Sequence, residues 1–183
     1  MFQLKQPSQT EFQEIRIPAG KHAARPYWWN YERRERFGMQ FVFTDYAAYQ
    51  LPGVDQQDWN KLCGLSFCPF TNHQNSVMVS WRWNPEDDLF ELGFYYHVRG
   101  KRVIRKDYNN QEVFMRVRPR GTCFIRFDVD HLMGVVYTNI IVGEEQITDS
   151  VELKTSRRSR VINTWFGGNR AAPVDIYLLR KLI

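Results

Sequence analysis

Arg82, Glu91, Tyr95 and His97 are the side chains whose spacing could join them in one piece of chemistry. They sit either side of the turn signal Asn84-Pro85-Glu86-Asp87-Asp88, in SVMVSWRWNPEDDLFELGFYYHV. Both flanks alternate apolar and polar residues, the pattern of an antiparallel hairpin with one buried face. Pairing Trp83 with Phe90 sets Arg82 opposite Glu91, Ser80 opposite Gly93, Met78 opposite Tyr95 and Ser76 opposite His97. Gly93 then becomes a low floor between taller neighbours, and glycine inside a strand often marks close approach by a ligand or another backbone. A sugar could stack on Tyr95 and hydrogen-bond to Arg82, Glu91 and His97. The plainer alternative is a solvent-facing sheet with an ordinary cross-strand ion pair.

Eliminative cleavage of an acidic glycan would need three groups. A cation neutralises the substrate carboxylate, a base removes the adjacent proton, and an acid assists the leaving oxygen. Arg82 or Arg102 suits the first role, His97 or His73 the second, and Tyr95 or Tyr137 the third. Retaining glycosidase chemistry lacks its signal, since Glu91 stands alone on its face and that mechanism needs two carboxylates. Phe166-Gly167-Gly168-Asn169 reads as a tight turn feeding the last strand. No helix follows to make it a phosphate cradle. Tyr27-Trp28-Trp29-Asn30-Tyr31 is either a buried plug or an exposed stacking platform for sugars or bases. Walker, Rossmann, HExxH and GxSxG patterns do not occur.

The elements that must position these residues are short strands. Candidates are Phe12 to Ile17, Phe37 to Thr44, Leu62 to Phe67, the two hairpin strands, Lys101 to Ile104, Glu112 to Arg118, Cys123 to Val129, Val135 to Val142, Gln146 to Leu153 and Val174 to Leu182. Cys123 to Val129 and Val135 to Val142 flank Asp130-His131-Leu132-Met133-Gly134 and form a second hairpin. Helical pattern is confined to Asp55 to Lys61 and, more weakly, Asp45 to Gln50. Residues 27–36 are placed in a long loop. So many short strands in 183 residues predict an all-β chain, a two-sheet antiparallel β-sandwich or jelly roll with one or two short helices. One domain, residues 1–183, accommodates the whole length.

Charge is unevenly distributed. Residues 1–98 balance to −2 and residues 99–183 to +7. Arg116, Arg118, Arg120, Arg157, Arg158 and Arg160 fall in the basic part and offer a polyanion contact, or simply a solvated face. Cys63, Cys68 and Cys123 are too few for a disulfide framework and carry no metal-ligand spacing, so reduced thiols with no metal and no cofactor are expected. No apolar run approaches the ~18 residues of a membrane helix. The first residues, MFQLKQPSQTEF, lack a signal peptide's basic and apolar regions, so synthesis in the cytoplasm is expected, with incorporation into a virion as one outcome.

Two blocks carry a resemblance. LCGLSF followed by HQNSVMVSWRWNPEDDLFELGFYYHVRGKR, and the terminal WFGGNRAAPVDIYLL, resemble small bacterial and bacteriophage proteins of the concanavalin A-like β-sandwich superfamily. Phe-Gly-Gly, then Ala-Pro and a last strand, is also similar to the end of several jelly-roll polysaccharide lyases. The resemblance spans roughly residues 60–105 and 160–183. It implies a sandwich fold and, as function, a non-catalytic module that binds a glycan or a neighbouring protein in a phage particle or bacterial surface complex. The alternatives are a lyase acting on an acidic glycan, and nucleic-acid or polyanion binding through the basic half. Ligand contacts are expected at Arg82, Glu91, Gly93, Tyr95 and His97.

Overall fold

The computed structural model describes residues 11–26, 30–156 and 158–183, and it is all-β. One antiparallel sheet has the strand order β1 (Gln13–Ile17), β13 (Ile176–Leu182), β3 (Arg36–Phe43), β9 (Thr122–Asp130), β10 (Val135–Val142), β11 (Glu145–Glu152). The other runs β2 (Tyr31–Glu32), β12 (Ser159–Ile162), β4 (Asn60–Ser66), β5 (Ser76–Asn84), β6 (Leu89–Val98), β7 (Lys101–Ile104). A further strand, β8 (Met115–Val117), pairs with β6 at Phe90–Leu92, along the same edge that β7 occupies at Tyr95–Val98. The expected two-sheet sandwich is therefore present.

Alternation explains the layers. The β5–β6 register is Trp83↔Phe90, Trp81↔Leu92, Val79↔Phe94 and Val77↔Tyr96, as the sequence pattern predicts. Slipping by one residue would send this whole apolar row into water, which is why the pattern fixes the face. All eight of these side chains are buried. They meet the inward row of β3 and β9, where Met39, Phe41, Phe43, Cys123, Ile125 and Phe127 are buried in the same core. Phe43 bridges the sheets, its ring 4.4 Å from that of Phe90 and 5.7 Å from that of Trp81. Such aromatic contacts add about 0.5–1.5 kcal/mol each to the area they bury. The second expected hairpin also forms, with Val136 opposite Val129 and Ile140 opposite Ile125.

Several local expectations are corrected. Asp55 to Lys61 is not a helix: a 3-10 turn covers Gly53–Gln57, and Asn60 and Lys61 already belong to β4. Tertiary bonds decide the matter, because the Asn60 side chain donates to Tyr49 Oη at 2.8 Å and accepts from the Gly167 N–H at 2.7 Å. Asp45 to Gln50 shrinks to a 3-10 turn at Asp45–Ala47. Only Met115–Val117 of the predicted Glu112–Arg118 strand pairs as strand. Sequence pattern missed β12, whose four residues are all buried and do not alternate, and the two-residue β2 inside the expected long loop. All three cysteines are free, with Cys63 and Cys123 buried and Cys68 partly so. No helix among the described residues is long and apolar enough to cross a membrane.

Candidate functional site

The outer face of the second sheet carries the predicted site residues, but it divides them into two groups. Arg82 Nε donates to Glu91 Oε2 at 2.7 Å, and Asn84 Nδ2 donates to Glu91 Oε1 at 3.1 Å. Arg82 also stacks its guanidinium 4.3 Å from the Trp59 ring centre and donates to the Gln57 carbonyl. Glu91 is buried, and both its oxygens are occupied. The expected floor at Gly93 is covered. A Cβ built there would lie 2.7 Å from the Glu112 carbonyl oxygen and 3.1 Å from Trp59 Cη2. Trp59 is held in place by its own Nε1–H, which donates to Glu112 Oε2 at 2.9 Å. Arg82 and Gly93 therefore form the bed on which Trp59 rests, while Arg82 and Glu91 also line a separate cleft of about 430 Å³ beside Gln57, Asn84 and Glu86.

Tyr95 and His97 face a different space. They line a groove of about 360 Å³ with Lys61, Asn72, His73, Met78, Arg160 and Trp165 among its walls. Register explains this set. On neighbouring strands Ile162, Gly64, Met78, Tyr95 and Ile104 align in one row, and Arg160, Ser66, Ser76, His97 and Arg102 align in the next. In the second row Ser66 and Ser76 donate to the carbonyls of Cys68, Thr71 and Asn72, so the loop after β4 folds over the middle of that row and brings Asn72 and His73 to the groove. Trp59, Met78, Tyr95 and Ile162 pack as a small apolar cluster separate from the core, giving the groove a greasy floor.

A bulge supplies the rim. The β4–β5 register shifts between Lys61 and Cys63, so Leu62 and Cys63 both join the core while Lys61 stays on the outer face, paired with Ser80. Trp165 exchanges backbone hydrogen bonds with Lys61, 2.8 and 2.9 Å, just beyond the end of β12. Its indole is stacked on His22, rings 5.4 Å apart and 13° from parallel, and remains 44% exposed. Gly167 allows the turn to press against the sheet, since a Cβ there would overlap the Trp59 carbonyl oxygen. Gly168 adopts φ +73°, in keeping with the turn read from the paired glycines.

Lys61 Nζ donates to the Trp59 carbonyl at 2.9 Å and lies 4.3 Å from the Tyr95 ring centre. Burial, reinforced by nearby Arg102, lowers its pKa to about 8, partly offset by Asp58. His97 accepts or donates at Nδ1 to Ser76 Oγ, 3.2 Å away, and its ring meets those of His73 and Tyr95 edge-on at 5.0 and 5.4 Å. Burial first, then His73, Lys61 and Arg102, lower its pKa to about 4, so it is neutral at pH 7. Burial also raises the Tyr95 hydroxyl, against the pull of Arg102. No carboxylate is among the described residues that line the groove, but that of Asp58 lies against Gly168 at its edge. Among the described residues no group of His, Cys, Asp and Glu is arranged to hold a metal ion.

Of the residues weighed for elimination chemistry, Arg102, His73, His97 and Tyr95 converge here. Tyr137 does not: it lies on β10, by Arg33, Glu35, Arg36 and Asp128. The basic residues do not make one patch. Arg116 pairs across from Glu91, Arg120 binds Asp45, Arg118 and Arg158 are exposed, and Arg160 is buried three strands from β6. Arg157 and the Tyr27-Trp28-Trp29 stretch lie outside the described residues. Lys61, Asn72, Arg160 and Trp165 were not picked out by sequence as ligand contacts of this groove. Trp165 directly before Phe-Gly-Gly was the available signal.

No protein-family model matches the chain, and no curated protein matches its sequence. Solved structures do match in fold. A functionally unknown protein from Saccharomyces cerevisiae superposes with a TM-score of 0.50 at 10% identity, over 88% of this chain and 74% of that one. Winged bean acidic lectin gives a TM-score of 0.41 at 11% identity, over 94% and 100%. Peanut lectin gives 0.42 at 10% identity, over 97% and 84%. Likeness at these identities concerns the sandwich fold alone.

Proposed function

We propose that this β-sandwich is a carbohydrate-binding module whose ligand lies in the groove between Tyr95 and Trp165. The observation that carries the reading is Trp165, a half-exposed indole stacked on His22 beside an apolar floor of Met78, Tyr95 and Ile162. Sugar rings present apolar C–H faces and equatorial hydroxyls, so they fit an aromatic plate with amide, imidazole and ammonium donors around it. Asn72, His73, His97 and Lys61 supply those groups. The setting proposed is a bacteriophage particle or a bacterial surface complex, in keeping with the HQNS block and the WFGGN terminus. Affinity electrophoresis against neutral and acidic polysaccharides tests the reading. Retardation that disappears in Trp165→Ala supports it, and free migration in every gel removes it.

A second reading is a lyase on an acidic glycan, favoured by Tyr95, His97 and Arg102 on adjacent rows with the loop residue His73 against His97. A neutral His97 is in the protonation state a base requires. Elimination leaves an unsaturated product that absorbs in the ultraviolet. Absorbance that grows with wild type and not with His97→Ala or Tyr95→Phe would favour it over simple binding; a flat trace over a panel of uronic-acid polymers would discard it.

A further inference from the structure

Away from the groove, the two sheets end on open edges at the same side of the sandwich. β7 is the last strand of one sheet and β11 the last of the other. Between them lies a cleft of about 1160 Å³, with Val98, Val103, Val151 and Leu153 among its walls. The two edges run in opposite directions across it. Arg105, just after β7, grips Asp149, while Lys101 at the start of β7 shares the cleft with Leu153 and Lys154. The Arg105 N–H donates to the Phe94 carbonyl, and the Leu153 N–H to the Gly134 carbonyl. Bonding alternates along an antiparallel strand, so Arg102 and Ile104 on β7, and Ser150 and Glu152 on β11, turn their backbone groups outward. No further strand meets these edges among the described residues. An edge of this kind is a template for pairing with another chain.

Charge names the partner. β7 holds Lys101 and Arg102, followed by Arg105 and Lys106, and no acid; β11 holds Glu145, Asp149 and Glu152, and no base. Two β7 edges would set cations side by side, and two β11 edges would do the same with carboxylates, whereas β7 against β11 sets opposite charges together. The faces agree as well. Val103 and Val151 are half-buried against the core, while Arg102 and Glu152 are exposed. With Arg105 level with Asp149, Val103 comes level with Val151 and Arg102 with Glu152. Rotation about an axis along the strands preserves those levels, so a second copy of this chain offers each edge its complement.

We propose that two copies of the chain join mouth to mouth about a two-fold axis along the strands, β7 of each adding as an antiparallel strand to β11 of the other. The outward backbone groups of Arg102 and Ile104 then bond those of Glu152 and Ser150. Arg102 faces Glu152 across the new ladder, and Val103 and Val151 of both copies close the cleft into one core. The surface is self-complementary, so the assembly stops at two.

Sedimentation equilibrium of the full chain tests the pairing. Wild type should be a dimer. Arg102→Glu and Glu152→Arg should each raise the dissociation constant about tenfold or more, because symmetry turns two opposite-charge pairs into like-charge pairs. An equimolar mixture of the two variants should dimerise again, since both contacts of the mixed pair are opposite in sign. Wild type that sediments as a monomer at every concentration overturns the proposal. So does a dimer that neither reversal weakens, or variants that stay apart when mixed. Should either variant not fold, amide exchange of wild type decides. Protection of the Arg102, Ile104, Ser150 and Glu152 amides that grows with concentration supports the pairing, and protection independent of concentration overturns it.

Discussion

The indole of Trp59 lies on Gly93, so closely that a single added methyl group would meet it at 3.1 Å from Cη2 and meet the Glu112 carbonyl oxygen at 2.7 Å. This contact turns what the sequence offers as an open floor into a packed layer, and it moves the accessible part of the face toward Tyr95 and His97. Gly93→Ala should therefore destabilise the chain by about 1–3 kcal/mol, the usual cost of overpacking. Urea unfolding reads the change, and a midpoint equal to wild type would mean that Trp59 does not rest there.

A second strap ties the sheets together. Tyr96 on β6 donates its hydroxyl to Asp149 Oδ2 on β11 at 2.8 Å, and Arg105 grips both oxygens of the same carboxylate at 2.7 and 2.9 Å. Tyr96 is fully buried, and burial with the adjacent carboxylate raises its pKa strongly. Tyr96→Phe should cost about 1.5–3 kcal/mol, the loss of one bond to a charged acceptor. Asp149→Ala should cost more, because the phenol is then buried without its acceptor. Thermal denaturation of the two variants gives the order, and the reverse order would contradict the strap.

Acid should weaken the fold through His97. Its folded pKa of about 4 lies below the ordinary histidine value near 6.5. Above pH 6.5 both folded and unfolded forms are neutral, and the group adds no pH dependence. As pH falls from 6.5 toward 4 the unfolded chain binds a proton that the folded chain does not, so stability is lost across that window. A His97→Gln variant should show a flatter stability profile between pH 6.5 and 4. A profile parallel to that of wild type would place the titration elsewhere.

Base should weaken ligand capture through Lys61. Its pKa of about 8 keeps the ammonium charged at pH 7 and removes the charge as pH rises past 8. Affinity for an acidic oligosaccharide should fall through that range, and affinity for a neutral one should not. Lys61→Arg, which stays charged, should carry the binding to higher pH.

The sequence revealed what alternation controls and missed what tertiary contacts control. In β5 and β6 the apolar residues recur every second position over nine and ten residues, so faces and partners follow from the pleat. In β12 all of Ser159, Arg160, Val161 and Ile162 are buried, and no alternation marks them. The basic run read as a loop ends at Ser159 and Arg160 in a strand held between β2 and β4. Two of the five expected ligand contacts, Tyr95 and His97, share the groove beside Trp165, because register alone placed them. Gly93 is covered by Trp59, which lies 34 residues away in a stretch whose composition suggests helix, and Arg82 and Glu91 pair with each other beside a separate cleft. Nothing local foretells that lid.

The central claim is that a sugar sits against Trp165 and Tyr95, and its most direct measurement is a nuclear magnetic resonance titration with the best-retained oligosaccharide. The indole N–H of Trp165 and the backbone amides of Tyr95 and His97 should shift together and saturate at one stoichiometry, while the core indoles of Trp81 and Trp83 stay still. Shifts gathered instead on the opposite sheet, around Tyr46 and Tyr177, or a Trp165 signal unmoved at saturation, would contradict the account.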